Sequence, residues 1–149
     1  MRLYVASSWR NTRYPLVVEA LRAAGHEVFD FRHPTDGNNG FHWSEIDPEW
    51  KSWTPEQYRK QLFHPLATGG FHTDFTGMMW AEACVLVLPC GRSAHLEAGW
   101  FAGMGLPVWI LLDDGCEPEL MYRLAHGHYV DVSELIADLN RKLGEAPPA

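Results

Sequence analysis

The segment from Cys84 to Pro107, CVLVLPCGRSAHLEAGWFAGMGLP, constrains the fold more than any other part of the chain. It begins with the apolar run Val85–Leu88, which is typical of a strand that is buried on both faces. Ser93 is expected to cap the helix that follows, and Gly105 ends that helix before a second apolar run, Val108–Leu112. The segment therefore predicts a strand, a short loop, a helix and a neighbouring parallel strand.

Glu97 is the unusual residue of this predicted helix. We expect it in the first turn, where the helix dipole favours the ionised form that a nucleophile needs. The loop before it lies at the carboxyl end of a strand, which is where α/β sheets bind ligands. A first-turn acid without any chemical role is an equally open interpretation. Gly99 and Gly103 are expected to let this helix approach the sheet closely.

The remaining elements complete an α/β domain. We predict a three-layer, flavodoxin/Rossmann-like fold with a five-stranded parallel sheet in the order 2-1-3-4-5 and helices on both faces. A single domain is expected over residues 1–143, with a flexible tail at 144–149. The other predicted strands are Leu3–Ala6, His26–Phe31 and Tyr129–Val132, and the other predicted helices are Tyr14–Ala24, Thr54–Thr68, Phe71–Glu82, Glu117–Ala125 and Ser133–Leu143.

Two of these helices carry specific signals. Thr54, followed by proline and then by glutamine at the third helical position, is typical of a helix start. We expect Gly69 and Gly70 to end that helix and to separate it from the next one, which carries Asp74.

The stretch from Arg32 to Trp53 is expected to be a long loop rich in aromatic residues. Loops of this length in compact domains are usually functional or disordered, and aromatic residues argue against disorder. The loop, which contains His42 and Trp43, is either a wall that stacks on a flat ring or a surface loop pinned by its own aromatic side chains.

Composition excludes several classes of partner. The formal charge of −7 argues against a nucleic-acid polymer, and no apolar run approaches the roughly 20 residues of a membrane span. Three cysteines, an odd number without metal-type spacing, favour a reducing, cytoplasmic location. His126 and His128 flank one glycine but have no third ligand nearby, so we predict no metal site.

Three sequence motifs resemble the nucleoside 2-deoxyribosyltransferase-like superfamily. They are YVASSW after Leu3, TDFTGM around Asp74 and HLEAGWFAGMGLP around Glu97. This superfamily includes nucleotide N-glycosidases such as the CMP and 2'-deoxynucleoside 5'-phosphate N-hydrolases. The resemblance implies cleavage of an N-glycosidic bond, with Glu97 as nucleophile, Asp74 acting on the base and Tyr4 holding Glu97 through its hydroxyl group. From the residues alone, a tyrosine ring buried in the core is at least as good an interpretation of Tyr4.

The resemblance also implies a substrate and a subunit arrangement. The partner would be a nucleoside or nucleotide, no cofactor is implied, and a homodimer or higher homo-oligomer is expected. The chain departs from the transferases at Glu119, where they carry an amide, and in its tail, which lacks an aromatic residue. Two alternatives stay open, a non-catalytic nucleotide sensor and an NAD-type glycohydrolase. Substrate contacts are expected from Ser7, Trp9, His42, Trp43, Gly91, Arg92, Ser93, His95 and Met121.

Overall fold

The computed structural model describes residues 1–35 and 37–144, with the backbone alone at 143 and 144. These residues form two compact units: the sheet unit, Met1–Asp30 and the residues from Trp80 on, and the loop-helix unit, Phe31–Met79. The single domain predicted over 1–143 stays a prediction. Gly144 ends the last helix, and residues 145–149 of the predicted tail lie outside the described residues.

The elements follow the predicted order. The strands are β1 (Arg2–Ala6), β2 (Glu27–Phe29), β3 (Ala83–Val87), β4 (Val108–Leu111) and β5 (Gly127–Tyr129). The helices are α1 (Tyr14–Ala23), α2 (Pro55–Gln61), α3 (Pro65–Trp80), α4 (Arg92–Gly103) and α5 (Val132–Gly144). Short 3₁₀ turns lie at Trp43–Glu45, Trp50–Ser52 and Leu120–Leu124.

All five strands are parallel and lie in the order β2-β1-β3-β4-β5, with helices on both faces, which confirms the predicted fold. Every residue of β3 and β4 is buried, because these strands are central and are covered on both faces. Among the described residues, no helix is long and apolar enough to cross a membrane.

Helix α4 differs from the prediction at its start. Its N-cap is Gly91, so Ser93 is the second helical residue and not the cap. Glu97 consequently lies in the second turn, where the helix dipole acts more weakly than in the first. The predicted close approach through Gly99 and Gly103 is also wrong, because a Cβ atom built at either position meets open space. The buried residues of this helix are Ala94, Ala98 and Phe101.

Gly69 and Gly70 do not separate two helices. Helix α2 already ends at Gln61, and α3 begins at Pro65 and continues through both glycines. A Cβ atom at Gly70 would lie 2.6 Å from the Cβ atom of Phe41. The glycine therefore serves a tight side-chain contact rather than a helix end.

The C-terminal elements also begin differently from the prediction. The helix expected over Glu117–Ala125 is only the 3₁₀ turn Leu120–Leu124. At the start of α5, the Asp131 carboxylate accepts the backbone N–H of Ser133 at 2.7 Å, so the aspartate caps this end in place of the serine hydroxyl.

Candidate active site

A buried asparagine holds together the carboxyl ends of β1 and β3. The Asn11 side-chain amide donates to the carbonyls of Val87 and Pro89, at 3.2 and 3.1 Å, and its own oxygen accepts two backbone N–H groups at the start of α1. Ser7 adds a hydrogen bond from its hydroxyl to the Val87 carbonyl at 2.8 Å. The loop that leads from β3 into α4 is therefore fixed from the side of β1.

The next strand is tied to the same edge by an arginine. Nη1 of Arg13 donates to the Leu112 carbonyl at 3.1 Å and pairs with the carboxylate of Asp113 at 2.5 Å. Both contacts lie directly after β4. The carboxyl ends of β1, β3 and β4 thus form one hydrogen-bonded edge, which is where ligands bind in folds of this kind.

Glu97 is half-buried on α4, in the second turn of this helix. Burial raises the pKa of the Cys90 thiol to about 12, and the negative charge of Glu97 is the second cause. The same two causes, in the same order, raise the pKa of Cys84. The Glu97 carboxylate therefore lies close enough to both thiols for its charge to act on them.

Tyr4 lies in the core of the sheet unit, on the α4 side of the sheet. Its ring stacks on Phe29, with centroids 5.4 Å apart, and contacts the ring of Phe101 at 5.8 Å. Phe101 follows Glu97 by four residues on α4, so the two side chains lie on the same side of the helix. In β3, Cys84 is the register partner of Tyr4. The interpretation of Tyr4 as a core ring is confirmed, and the role of its hydroxyl group stays a prediction.

His95 makes contacts from both ring nitrogens. Nδ1 lies 2.7 Å from the Gly91 carbonyl and 3.7 Å from the Cys90 sulfur, and Nε2 lies 2.8 Å from the Tyr122 hydroxyl. Burial raises the pKa of Tyr122 to about 12, so its hydroxyl group stays protonated at neutral pH. Sequence analysis missed Tyr122, because its partner is 27 residues away.

The loop that leads into α4, where substrate contacts are expected, is accessible. Gly91, Arg92 and Ser93 are all exposed, and no side chain caps α4 at Gly91. The backbone N–H groups of the first turn of α4 are the kind of donor that binds anions. Two other predicted contact residues of the sheet unit, Trp9 and Met121, are 39% and 65% exposed.

Asp74 lies in the loop-helix unit, where it lines a cavity of about 290 Å³. Burial raises the pKa of its carboxyl group from 3.8 to about 6, so a substantial fraction is protonated just below neutral pH. A carboxyl group with such a pKa can donate a proton. The other residues that line this cavity are Asn38, Gly40, Phe41, Glu45, Pro65, Leu66, Gly69, Gly70 and Thr73.

The aromatic residues of the loop-helix unit pack against one another. The Trp43 ring makes edge contacts with Phe41, Trp53 and Tyr58 at 4.9–6.1 Å. This cluster favours the interpretation of a pinned loop over that of a free stacking wall. His42, in contrast, is exposed, and its backbone N–H donates to a Glu45 carboxylate oxygen at 2.7 Å.

The predicted site residues divide between the two units. Asp74, His42 and Trp43 belong to the loop-helix unit, and the other nine belong to the sheet unit. A second cavity, of about 630 Å³, lies at the ends of β3 and β4 in the sheet unit. Sequence analysis did not predict this cavity, which is lined by Leu88, Leu112, Asp113, Cys116, Glu117, Pro118, Glu119, Leu120, Tyr122, Arg123 and His128.

Comparison with solved structures identifies relatives in fold. A 2-deoxyribosyltransferase from Bacillus psychrosaccharolyticus is 22% identical, with a TM-score of 0.60 over 91% of this chain and 90% of that one. A conserved protein from Enterococcus faecalis V583 is 12% identical, with a TM-score of 0.60 over 94% and 97%. The CMP N-glycosidase BcmB from Clostridium botulinum is 16% identical, with a TM-score of 0.50 over 95% and 99%.

Comparison by sequence alone identifies no relative of this chain. No protein-family model matches the chain, and no curated protein matches it in sequence. The likeness is therefore one of fold, and it extends over nearly the whole chain. The resemblance found in the three sequence motifs is confirmed at that level: the chain has the fold of the nucleoside 2-deoxyribosyltransferase-like superfamily.

Proposed function

We propose that the protein cleaves the N-glycosidic bond of a nucleoside or a nucleoside 5'-monophosphate, with Glu97 as the nucleophile. The observation that carries this proposal is the position of Glu97, half-buried on α4 and close enough to Cys84 and Cys90 for its charge to raise their pKa values. The same fold occurs in a 2-deoxyribosyltransferase and in a CMP N-glycosidase. A carboxylate beside a glycosidic bond is the nucleophile of retaining glycosidases.

The proposed reaction has two steps. A Glu97 carboxylate oxygen attacks the anomeric carbon, and the bond from that carbon to the base nitrogen breaks. The departing base takes the electron pair of the broken bond and a proton from an acid; the family resemblance implies Asp74 for this role, and its pKa of about 6 suits a proton donor. Water, or a second base, then attacks the anomeric carbon, the bond from that carbon to Glu97 breaks, and the proton of the incoming group returns to the carboxylate that protonated the leaving base.

A 5'-phosphate group fits the start of α4. Backbone N–H groups there have no side-chain cap, and the exposed guanidinium of Arg92 can bind a phosphate through two hydrogen bonds. This feature favours nucleoside monophosphates over nucleosides as substrates. An Arg92→Gln variant should therefore raise KM for a monophosphate and leave KM for the matching nucleoside unchanged.

Base release from a panel of substrates tests the proposal. Nucleosides, ribo- and deoxyribonucleoside monophosphates and NAD are incubated with the wild-type protein, Glu97→Gln and Glu97→Ala, and the free base is measured by chromatography. We expect release from one class and a loss of at least about 1,000-fold in both variants, because the nucleophile is missing. Glu19→Gln, a change to an exposed carboxylate on α1, is the matched control and should keep the wild-type rate.

Each result leads to a definite conclusion. Release that persists in Glu97→Gln would exclude Glu97 as the nucleophile. Binding of a nucleotide without any release would favour the nucleotide-sensor alternative, and release of nicotinamide from NAD alone would favour the glycohydrolase. Intact-mass spectrometry of a quenched reaction should also show a glycosyl adduct on the wild-type protein, and this adduct should be absent from Glu97→Gln.

A further inference from the structure

The Nδ1 atom of His95 has a defined protonation state. It lies 2.7 Å from the carbonyl oxygen of Gly91, and a carbonyl oxygen can only accept a hydrogen bond. Nδ1 must therefore carry a proton. In the neutral imidazole ring, Nε2 is then an acceptor, and the Tyr122 hydroxyl at 2.8 Å donates to it. This direction is consistent with the raised pKa that keeps the Tyr122 hydroxyl protonated.

Both hydrogen-bonding positions of the His95 ring are thus occupied by protein groups. A side chain in this state has no ring nitrogen left for a substrate. The imidazole also lies nearly parallel to the Tyr122 ring, at 12°, with centroids 5.7 Å apart. These contacts do not fit the substrate-binding role that the family resemblance implies for His95.

The contacts connect three separate elements of the sheet unit. His95 is on α4, two residues before Glu97, and Tyr122 is in the turn Leu120–Leu124. The backbone carbonyl of Tyr122 in turn lies 2.7 Å from Nε2 of His128, which is in β5. The turn is therefore held on one side by α4 and on the other by β5.

The turn Leu120–Leu124 has little apolar packing of its own. Leu120, Met121 and Leu124 are exposed, at 76%, 65% and 57%, so burial of these side chains cannot fix its position. Tyr122 is its half-buried member. The hydrogen bond from Tyr122 to His95, together with the stacking of the two rings, therefore connects the turn to α4.

We propose that His95 and Tyr122 are a positioning pair, which holds the turn that carries Met121 at a fixed place beside the helix that carries Glu97. The inference rests on the proposed function and on the substrate contact that the family resemblance implies for Met121. Such a pair acts on the ground state and the transition state alike, so its loss should raise KM and leave kcat nearly unchanged. A net neutral hydrogen bond corresponds to an increase of about fivefold.

Tyr122→Phe removes the hydroxyl and keeps the ring, so it tests the hydrogen bond without disturbing the stacking. Tyr129→Phe is the matched control, because it removes a hydroxyl that donates to Asp138 at 2.7 Å in the same unit. Methionine-methyl NMR gives a readout without substrate. In Tyr122→Phe we expect the Met121 methyl resonance to shift towards that of free methionine, while the methyl of Met78, which is buried on α3, stays unchanged.

The histidine nitrogen spectrum provides a second readout that is independent of activity. Near pH 8 we expect His95 in the Nδ1–H tautomer in the wild type, and in Tyr122→Phe the Nε2 resonance should move while the tautomer is kept. An Nε2–H tautomer, or an unchanged Met121 methyl in Tyr122→Phe, would overturn the proposal. A fall in kcat with constant KM would do the same, because it would place the pair in the chemical step. If the wild-type protein releases no base, the proposed function fails, and the two NMR readouts still decide the positioning role.

Discussion

The raised pKa of Asp74 can be tested through its effect on the free energy of unfolding. Burial raises the pKa of its carboxyl group from an ordinary 3.8 to about 6, so the folded protein favours the protonated form. Its stabilising contribution is complete below pH 3.8 and is lost as the pH rises through 6. Since one pKa unit corresponds to about 1.4 kcal/mol, the full change is about 3 kcal/mol.

The part of this change that is measured most readily lies between pH 5 and pH 8. Over that range the linkage relation gives a loss of about 1.4 kcal/mol in the free energy of unfolding. Asp74→Asn removes the titration and keeps the shape, so the variant should gain about that amount relative to the wild type as the pH rises. Urea unfolding of both proteins at pH 5, 6, 7 and 8 measures the difference.

The control for this experiment is an exposed carboxylate of the same unit. Glu56→Gln on α2 removes a carboxylate from the surface of the same unit and is measured in the same way. If the difference between the wild type and Asp74→Asn stays constant within about 0.3 kcal/mol, the carboxyl group titrates normally. Asp74 would then not be a proton donor near neutral pH.

Three further predictions concern the scaffold. Asn11→Ala should lower the free energy of unfolding by about 3 kcal/mol, because two backbone N–H groups and the Pro89 carbonyl lose this partner and the Val87 carbonyl keeps the hydrogen bond from Ser7. A loss below about 1 kcal/mol in urea unfolding would contradict the buried network. Gly70→Ala should destabilise the protein by about 1–3 kcal/mol, because the added methyl group collides with Phe41. Gly69→Ala places its methyl group in open space and should stabilise the protein by up to about 1 kcal/mol, so thermal unfolding should shift the two variants in opposite directions. Burial lowers the pKa of His26 below 6.5, so the free energy of unfolding of the wild type should fall relative to that of His26→Asn as the pH drops below 6.5. Free energies of unfolding that change in parallel with pH for the two proteins would contradict this prediction.

Much of the fold follows from local sequence patterns. The apolar runs in β3 and β4 predicted central strands because only a strand covered on both faces can bury every side chain. The start of α2 was also correct: the Thr54 hydroxyl accepts the Gln57 N–H at 3.3 Å, and the Gln57 side chain accepts the Thr54 N–H at 2.8 Å. Such signals depend on residues within one turn, so a sequence alone determines them.

The errors have a common cause in contacts between distant residues. Gly70 resembled a helix breaker, but its function depends on Phe41, which is 29 positions earlier in the sequence. Ser93 resembled a cap, yet α4 begins two residues earlier, at a loop whose Pro89 carbonyl is bound by Asn11. No local pattern predicts where such an amide side chain finds its acceptors.

The properties of the candidate site residues also divide into those that the local sequence predicted and those that only the tertiary structure decided. The motif around Glu97 predicted the nucleophile candidate and the helix that carries it from residues that are adjacent in sequence. The raised pKa of Asp74 and the contact between His95 and Tyr122 were decided only by tertiary structure. Burial and side-chain pairing across 27 residues depend on where the chain folds back, and they determine the protonation of Asp74 and the contacts of His95.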